Sequence, residues 1–290
     1  MIDIISVGSS SSGNSYIIKA GGRAIILDVG LTAKRITEAL AENGIEPEDV
    51  EAVLITHEHT DHVKSVRAIS RKCCNAVFYA TRGTVSGAQN FTYVPEERLH
   101  IVRAGDTVML ESRAASAEEP ADGENEASPV RIDVFAISHD AREPVSYSVT
   151  CGGEKLSVVT DTGVVTEEIY EAIKDADKLV FESNHDEGLL MYGEYPYPLK
   201  VRIKSDHGHL SNRSAGETLA RLMEERRGGM PPDKSEGCRP LEIMLAHLSF
   251  HNNAPYYART TIEPILSESG FERDVDYTLT IAAKDDITVF

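Results

Sequence analysis

The apolar positions open the chain in short runs. Residues 2–7, 16–20 and 23–27 carry the β-branched, apolar-rich pattern of strands. Gly21-Gly22 between the second and third predicts a hairpin turn. Over 31–43 the period changes: Leu31, Ile36 and Leu40 take helical spacing, and Gly44 supplies a stop. Strands are then predicted at 52–55, 76–79, 99–102, 108–110, 130–137, 145–150 and 156–160, with 63–70 helical and the turn Gly152-Gly153 before the last of these strands. The remainder reads as helix 166–174, strand 178–181, helix 211–226, strand 241–246, helix 258–269 and strands 277–282 and 288–290. Irregular alternation with early hairpins predicts an α/β fold, an αββα sandwich of two stacked mixed sheets flanked by helices, rather than a doubly wound parallel sheet. No linker separates two complete cores, so 1–290 is expected to form a single domain. Two segments lack periodicity, 111–129 (Ala, Glu, Ser, Pro) and 227–240 (Gly, Pro), and are expected to be exposed insertions.

Composition narrows the function classes. The chain has 290 residues, 41% of them hydrophobic, and a formal net charge of -18. That charge argues against a protein whose whole surface binds nucleic acid or anionic membrane, while leaving room for a local basic groove. The four cysteines, at 73, 74, 151 and 238, form no CxxC pair and no secretory ladder, so reduced thiols are expected. No apolar run reaches the ~18 residues of a membrane span, and MIDIISVG reads as a strand, not a signal sequence. The expected setting is cytoplasmic, with no membrane partner.

The ten histidines carry the chemistry. Three fall in His57-Glu58-His59-Thr60-Asp61-His62, directly after the strand 52–55. Two histidines two apart in an extended loop point to one side, and Asp61 and His62 reach a neighbouring position. Imidazole and carboxylate without thiolate suit zinc or manganese, with iron as a further option. Two divalent ions need about six to eight protein donors plus water, and the cluster supplies four. His139 and His247 end strands, and Asp161 follows a buried one in a position to bridge two ions. His185, His207 and His209 also lie near strand or helix ends, where rigid backbone delivers side chains into a shared cleft.

Taken in order, Leu27-Asp28-Val29-Gly30, the HxHxDH cluster, His139, Thr160-Asp161-Thr162-Gly163 and His247 resemble the metallo-β-lactamase superfamily. The resemblance spans nearly the whole chain and implies the αββα sandwich with two metals at one edge of the sheets. It implies that His57, His59 and His139 hold one ion, that Asp61, His62 and His247 hold the other, and that Asp161 bridges them. Asp28 resembles the family's carboxylate that orients the histidine loop from behind, and Glu182 is given the same supporting role. The absence of cysteine at the Asp161-type position departs from the antibiotic-hydrolysing enzymes. Residues 8–15, Glu182-Ser183-Asn184-His185-Asp186, Gly208-His209-Leu210-Ser211-Asn212 and His247-Leu248-Ser249 bring the chain closer to the YycJ (WalJ)-like exonuclease branch, related to tRNase Z and β-CASP nucleases. The long β-CASP insert and the flexible arm of tRNase Z are both missing, which disfavours a structured RNA.

The implied activity is a dimetal phosphodiesterase, acting on DNA in the 5′ to 3′ direction, with a hydroxide shared by the two ions as nucleophile. Asp61, His185 and His209 are the candidate catalytic residues, His209 as general acid by resemblance to the corresponding tRNase Z histidine. Lys200, Arg202, Lys204 and His207 make a basic stretch, and Ser12, Asn14, Ser211 and Asn212 offer polar groups, all as candidate contacts to a nucleic-acid substrate. Two other classes stay open: a small-molecule metallohydrolase of thioesterase or lactonase type, and a non-catalytic metal-binding module.

Overall fold

The computed structural model describes residues 1–111, 128–228 and 239–290. The two expected insertions fall almost wholly outside the described residues. The strands are, in chain order, β1 (Ile2–Ser10), β2 (Gly13–Ala20), β3 (Arg23–Leu27), β4 (Val50–Leu54), β5 (Val77–Ala80), β6 (Leu99–Ile101), β7 (Thr107–Leu110), β8 (Val130–Ala136), β9 (Val145–Cys151), β10 (Glu154–Val159), β11 (Lys178–Glu182), β12 (Leu241–Ala246), β13 (Tyr277–Ile281) and β14 (Thr288–Val289). One sheet runs β14-β1-β2-β3-β4-β5-β6 and the other β13-β12-β11-β10-β9-β8-β7. Each is mixed: β3, β4, β5 and β6 are parallel, as are β10, β11, β12 and β13, while the hairpins are antiparallel.

Side-chain alternation explains the stacking. Tyr16, Ile18, Ile25, Leu27, Ala52 and Leu54 of the first sheet face Ile132, Val134, Tyr147, Val149 and Leu156 of the second across a common core. The intervening residues Ile17, Ile26 and Val53 turn outward onto the helix Ala33–Glu42 through Ile36 and Leu40. Val159, Leu179 and Phe181 pack outward against Leu219 of the helix Asn212–Arg226 and Ile262 of the helix Pro255–Glu268. Both faces of each sheet are therefore covered, which is why the strands read as almost unbroken apolar runs.

Gly21-Gly22 and Gly152-Gly153 make the expected turns, all four glycines having positive φ. One segment corrects the sequence reading. Residues 8–15, whose four consecutive serines suggest a solvated loop between the expected strands 2–7 and 16–20, are instead the tip of the β1–β2 hairpin, with Gly8 opposite Ser15 and Ser10 opposite Gly13. Ser9, Ser10, Asn14 and Ser15 are buried, and the polar groups of the first three meet one another and their neighbours instead of water: the Tyr16 hydroxyl donates to Ser9 Oγ, Ser10 N donates to Asn14 Oδ1, and Ser12 N donates to Ser10 Oγ.

Candidate metal centre

Two sets of parallel strands end at the same place. Asp28 and His57 follow β3 and β4; Asp161, Glu182 and His247 lie at the ends of β10, β11 and β12. Among the described residues, four non-glycine residues have positive φ, and three belong to this set: Asp28 (57°), Asp161 (60°) and His247 (57°). Left-handed backbone turns the side chain sharply off the strand end, and it concentrates at functional sites because the conformation is otherwise unfavourable.

The histidine loop is fixed from behind. His59 is the N-terminal flanking residue of the helical turn Thr60–Val63. Val29 N donates to His62 O, and Ser65 N donates to Val29 O, lacing the Asp28–Gly30 loop onto that turn. Gly30 is obligatory here, since a Cβ would lie 1.5 Å from Asp61 O. Gly30→Ala is therefore expected to destabilise the fold by about 1–3 kcal/mol and to lower metal content below that of the wild type. Thermal melting with elemental analysis checks both; an unchanged metal content would show that the turn tolerates the shift. Asp28 accepts from Thr56 N and the Thr56 hydroxyl, both at 2.9 Å, and from His62 Nδ1 at 2.7 Å. Holding Nδ1 leaves Nε2 of His62 directed into the site.

The donors fall into two adjoining pockets. In the first, His59 Nδ1 lies 3.1 Å from His57 Nε2 and 3.3 Å from His139 Nε2. Nitrogens held tetrahedrally around one zinc stand about 3.3 Å apart, given Zn–N of about 2.0–2.1 Å, so the spacing fits a shared cation. In the second, Asp61, His62 and His247 converge, His247 Nε2 lying 3.8 Å from Asp61 Oδ2. Asp161 stands between the pockets: its carboxylate is 3.4 Å from His62 Nε2, 3.4 Å from His247 Nε2 and 3.9 Å from His139 Nε2. Asp161 Oδ2 and His247 Nε2 are buried without a hydrogen-bond partner. A buried carboxylate oxygen and a ring nitrogen left open side by side are what a cation would satisfy.

Glu182 ties the far wall together. Oε1 accepts from His209 Nδ1 at 2.8 Å and His247 Nδ1 at 2.9 Å, and Oε2 from Thr162 N and Leu210 N. Burial alone would raise its proton affinity, but interaction with His209 and His247 outweighs it and holds the carboxyl below the usual range. His209 is partly exposed, as are His59 and Asp61 across the site.

The two pockets differ in protonation. Burial, aided by His62, His139 and His59, holds His57 well below the ordinary imidazole range, and burial lowers His139 as well. At His62 and His247 burial works the same way but loses to the carboxylates, Asp161 foremost; His62 is raised well above 6.5 and His247 is pushed up to about 10. A cation entering the second pocket must displace those protons, so affinity falls as pH falls. Without metal the sign is the opposite. His247 has its proton affinity raised by folding, so its stabilisation is complete below pH 6.5 and is lost as pH rises toward about 10. The chelated protein is expected to lose melting temperature across that window, and the metal-loaded protein to lose less. Parallel melting curves in chelator and in zinc check this; a chelated protein that gains stability with pH would contradict it.

The other sequence-derived candidates fall differently. Ser12 is exposed at the hairpin tip. Asn14 is buried, with Nδ2 3.2 Å from His62 Nε2. Asn212 is buried in a network with Ser183 and Asn253. Ser211 caps its helix, accepting from Ser214 N. Lys200 donates to the carbonyls of Met191 and Gly193, and Arg202 pairs with Asp140, the residue after His139. Lys204 and His207 are exposed. All of the basic stretch except Lys204 and His207 lies on the helix Tyr197–Ile203. His185 is buried, its Nδ1 unpartnered, and burial lowers it to about 4, so it enters the site as a neutral ring. Ser9 and Thr56 escaped the sequence reading: Ser9 Oγ accepts from His247 N, and Thr56 anchors Asp28. Neither carries a signal beyond its nearness to a ligand in the fold.

A model of the metallo-beta-lactamase superfamily matches residues 10–222. The chain is 32% identical over 285 residues to Exodeoxyribonuclease WalJ of Streptococcus pneumoniae, covering 97% of this chain and 94% of that one. It is 32% identical over 267 residues to Exodeoxyribonuclease YycJ of Bacillus anthracis, covering 91% and 89%. Among solved structures, the metallo-beta-lactamase fold protein YhfI from Bacillus subtilis superposes with a TM-score of 0.64 at 14% identity, over 100% of this chain and 99% of that one, a likeness of fold.

Proposed function

The chain belongs to the metallo-beta-lactamase superfamily, and on that premise we propose that it is a divalent-metal-dependent exonuclease that cleaves phosphodiester bonds of DNA from the 5′ end. The observation that carries the reading is one carboxylate, Asp161, set between two donor pockets, with Glu182 and His209 on the wall beside them. His57, His59 and His139 would hold one ion and Asp61, His62 and His247 the other, with Asp161 shared; the donors suit zinc or manganese. Two bound ions supply an ionised water and neutralise the phosphoryl oxygens.

The rest of the chemistry belongs to the chain. Departure of the 3′ alkoxide needs a proton, and His209 is a partly exposed imidazole placed to give it. Glu182 receives Nδ1–H of His209, which orients Nε2 away from Glu182. His185, neutral, offers a hydrogen bond and no charge. Lys204, exposed near His209 in sequence, remains free to meet phosphate, whereas Lys200 and Arg202 already have partners and His207 Nδ1 lies 3.1 Å from the Ser138 hydroxyl. The DNA specificity follows the two curated relatives, both named exodeoxyribonucleases.

The test is a substrate panel with enzyme loaded with Mn²⁺ or Zn²⁺: 5′-phosphorylated and 5′-hydroxyl DNA, RNA, a thioester and a lactone. Stepwise release of nucleotides from 5′-phosphorylated DNA, abolished by chelator, is expected. Turnover of the thioester or lactone with DNA left intact would overturn the proposal.

A further inference from the structure

A row of rings gathers at the loop that follows His247. Tyr195 and His251 have ring centroids 5.5 Å apart, His251 and Phe250 5.1 Å, and the Lys284 ammonium sits 4.1 Å over the Phe250 ring. These residues come from three separate segments, so their meeting is a product of the fold. Phe250 is 68% exposed although it is fully apolar. Its loop is nevertheless held firmly: Asn252 and Asn253 are buried, Asp186 N donates to Asn252 O, and Asn253 Nδ2 donates to Ser183 O. The turn thus projects Phe250 and His251 outward from an anchored base.

The row also borders the metal pockets. Phe250 and His251 follow the pocket residue His247 on the same loop. At the other end, Lys284 O packs against Gly8, and Ser9, which accepts from His247 N, donates its own N–H to Ala283 O.

We infer that Tyr195, His251 and Phe250, with Lys284, form a platform on which bases of a single DNA strand stack while its end is held at the metal pockets. The inference rests on the nuclease reading and adds to it a single-stranded substrate and the surface that grips it. Every base has a π-face, so stacking accepts any sequence, as a processive exonuclease requires. A chain of net charge -18 has little Coulombic attraction for DNA to spare. Contact through ring faces, with one lysine for an adjoining phosphate, supplies affinity that charge does not.

The chain contains no tryptophan, so Phe250→Trp places a sole tryptophan, selectively excited at the red edge away from the tyrosines, on the platform. The probe is a short 5′-phosphorylated phosphorothioate oligothymidylate, compared with an abasic strand of equal length, on metal-loaded enzyme. Quenching of the Trp emission by the intact strand and not by the abasic one is expected. Phe250→Ala and His251→Ala should each weaken binding of the intact strand, measured by anisotropy, by about tenfold, and leave the abasic strand unaffected. Equal binding of the two strands by the wild type, or unchanged affinity in both alanine variants with DNA still degraded, would overturn the platform and leave the nuclease reading standing. A wild type that neither binds nor degrades DNA would remove both. The strand comparison uses the wild type, so it stands whether or not a variant folds.

Discussion

Asp161→Asn should reduce turnover of 5′-phosphorylated DNA on the order of 10³-fold or more. Asp161 is the carboxylate that approaches histidines of both pockets, at 3.4 Å from His62 and His247 and 3.9 Å from His139. The neutral amide removes the charge that would hold two cations together and leaves the shape. It also leaves the backbone content: φ at this position is 60°, where asparagine is tolerated and alanine is strained. Asparagine therefore separates chemistry from folding. Melting temperature should stay close to that of the wild type, while elemental analysis finds fewer than two ions per chain. The proton affinities of His62 and His247 should fall as well, because Asp161 is the leading charge that raises both. Activity within tenfold of the wild type would remove Asp161 from the centre of the mechanism.

His209→Ala should lower kcat about 10²–10⁴-fold without changing metal content. His209 is held by Glu182 Oε1 at 2.8 Å and lies 3.9 Å from Asp161 Oδ1, outside the two histidine sets proposed to hold the ions. The discriminating measurement is a diester with a p-nitrophenyl leaving group, which departs without a proton. The variant should hydrolyse that substrate nearly as well as the wild type and fail on DNA. Equal losses on both would mean that His209 acts on the ions or on binding, not on the leaving group.

Much of the centre was legible because it is local. His57 to His62 sit on one loop, and the residue spacing alone sends side chains into neighbouring positions. The strand-end placement of His139, Asp161 and His247 was visible too, since β-strand runs and the residues after them can be read by eye. What could not be read is adjacency between strands distant in sequence. The β10–β11–β12 order puts Glu182 between Asp161 and His247, and only that order lets one carboxylate oxygen hold two imidazoles.

Polar residues in Gly- and Ser-rich segments were the other blind spot. Asn14, Ser9 and Asn212 look solvated in a linear sequence, but here they satisfy the buried backbone and rings around the site. Lys200 shows the same effect for charge, since its ammonium is spent on two carbonyls at the end of the helix Glu187–Tyr192. A count of lysines overstates the cations available to a phosphate: Arg202 is exposed yet paired with Asp140, and Lys204 is the exposed cation of the stretch without such a pair among the described residues.

The left-handed backbone at Asp28, Asp161 and His247 bears on how such a centre can change over generations. The residues that tolerate that conformation are glycine, asparagine, aspartate and, to a lesser degree, histidine. Three of those four are also able to bind a cation or hold a ring that does. Backbone geometry and donor chemistry thus draw on the same short alphabet, and a random substitution at these positions is filtered twice. A lineage trading one metal for another has few single steps open at the strand ends, and its variation should collect instead in the loops that carry His59, His139 and Phe250.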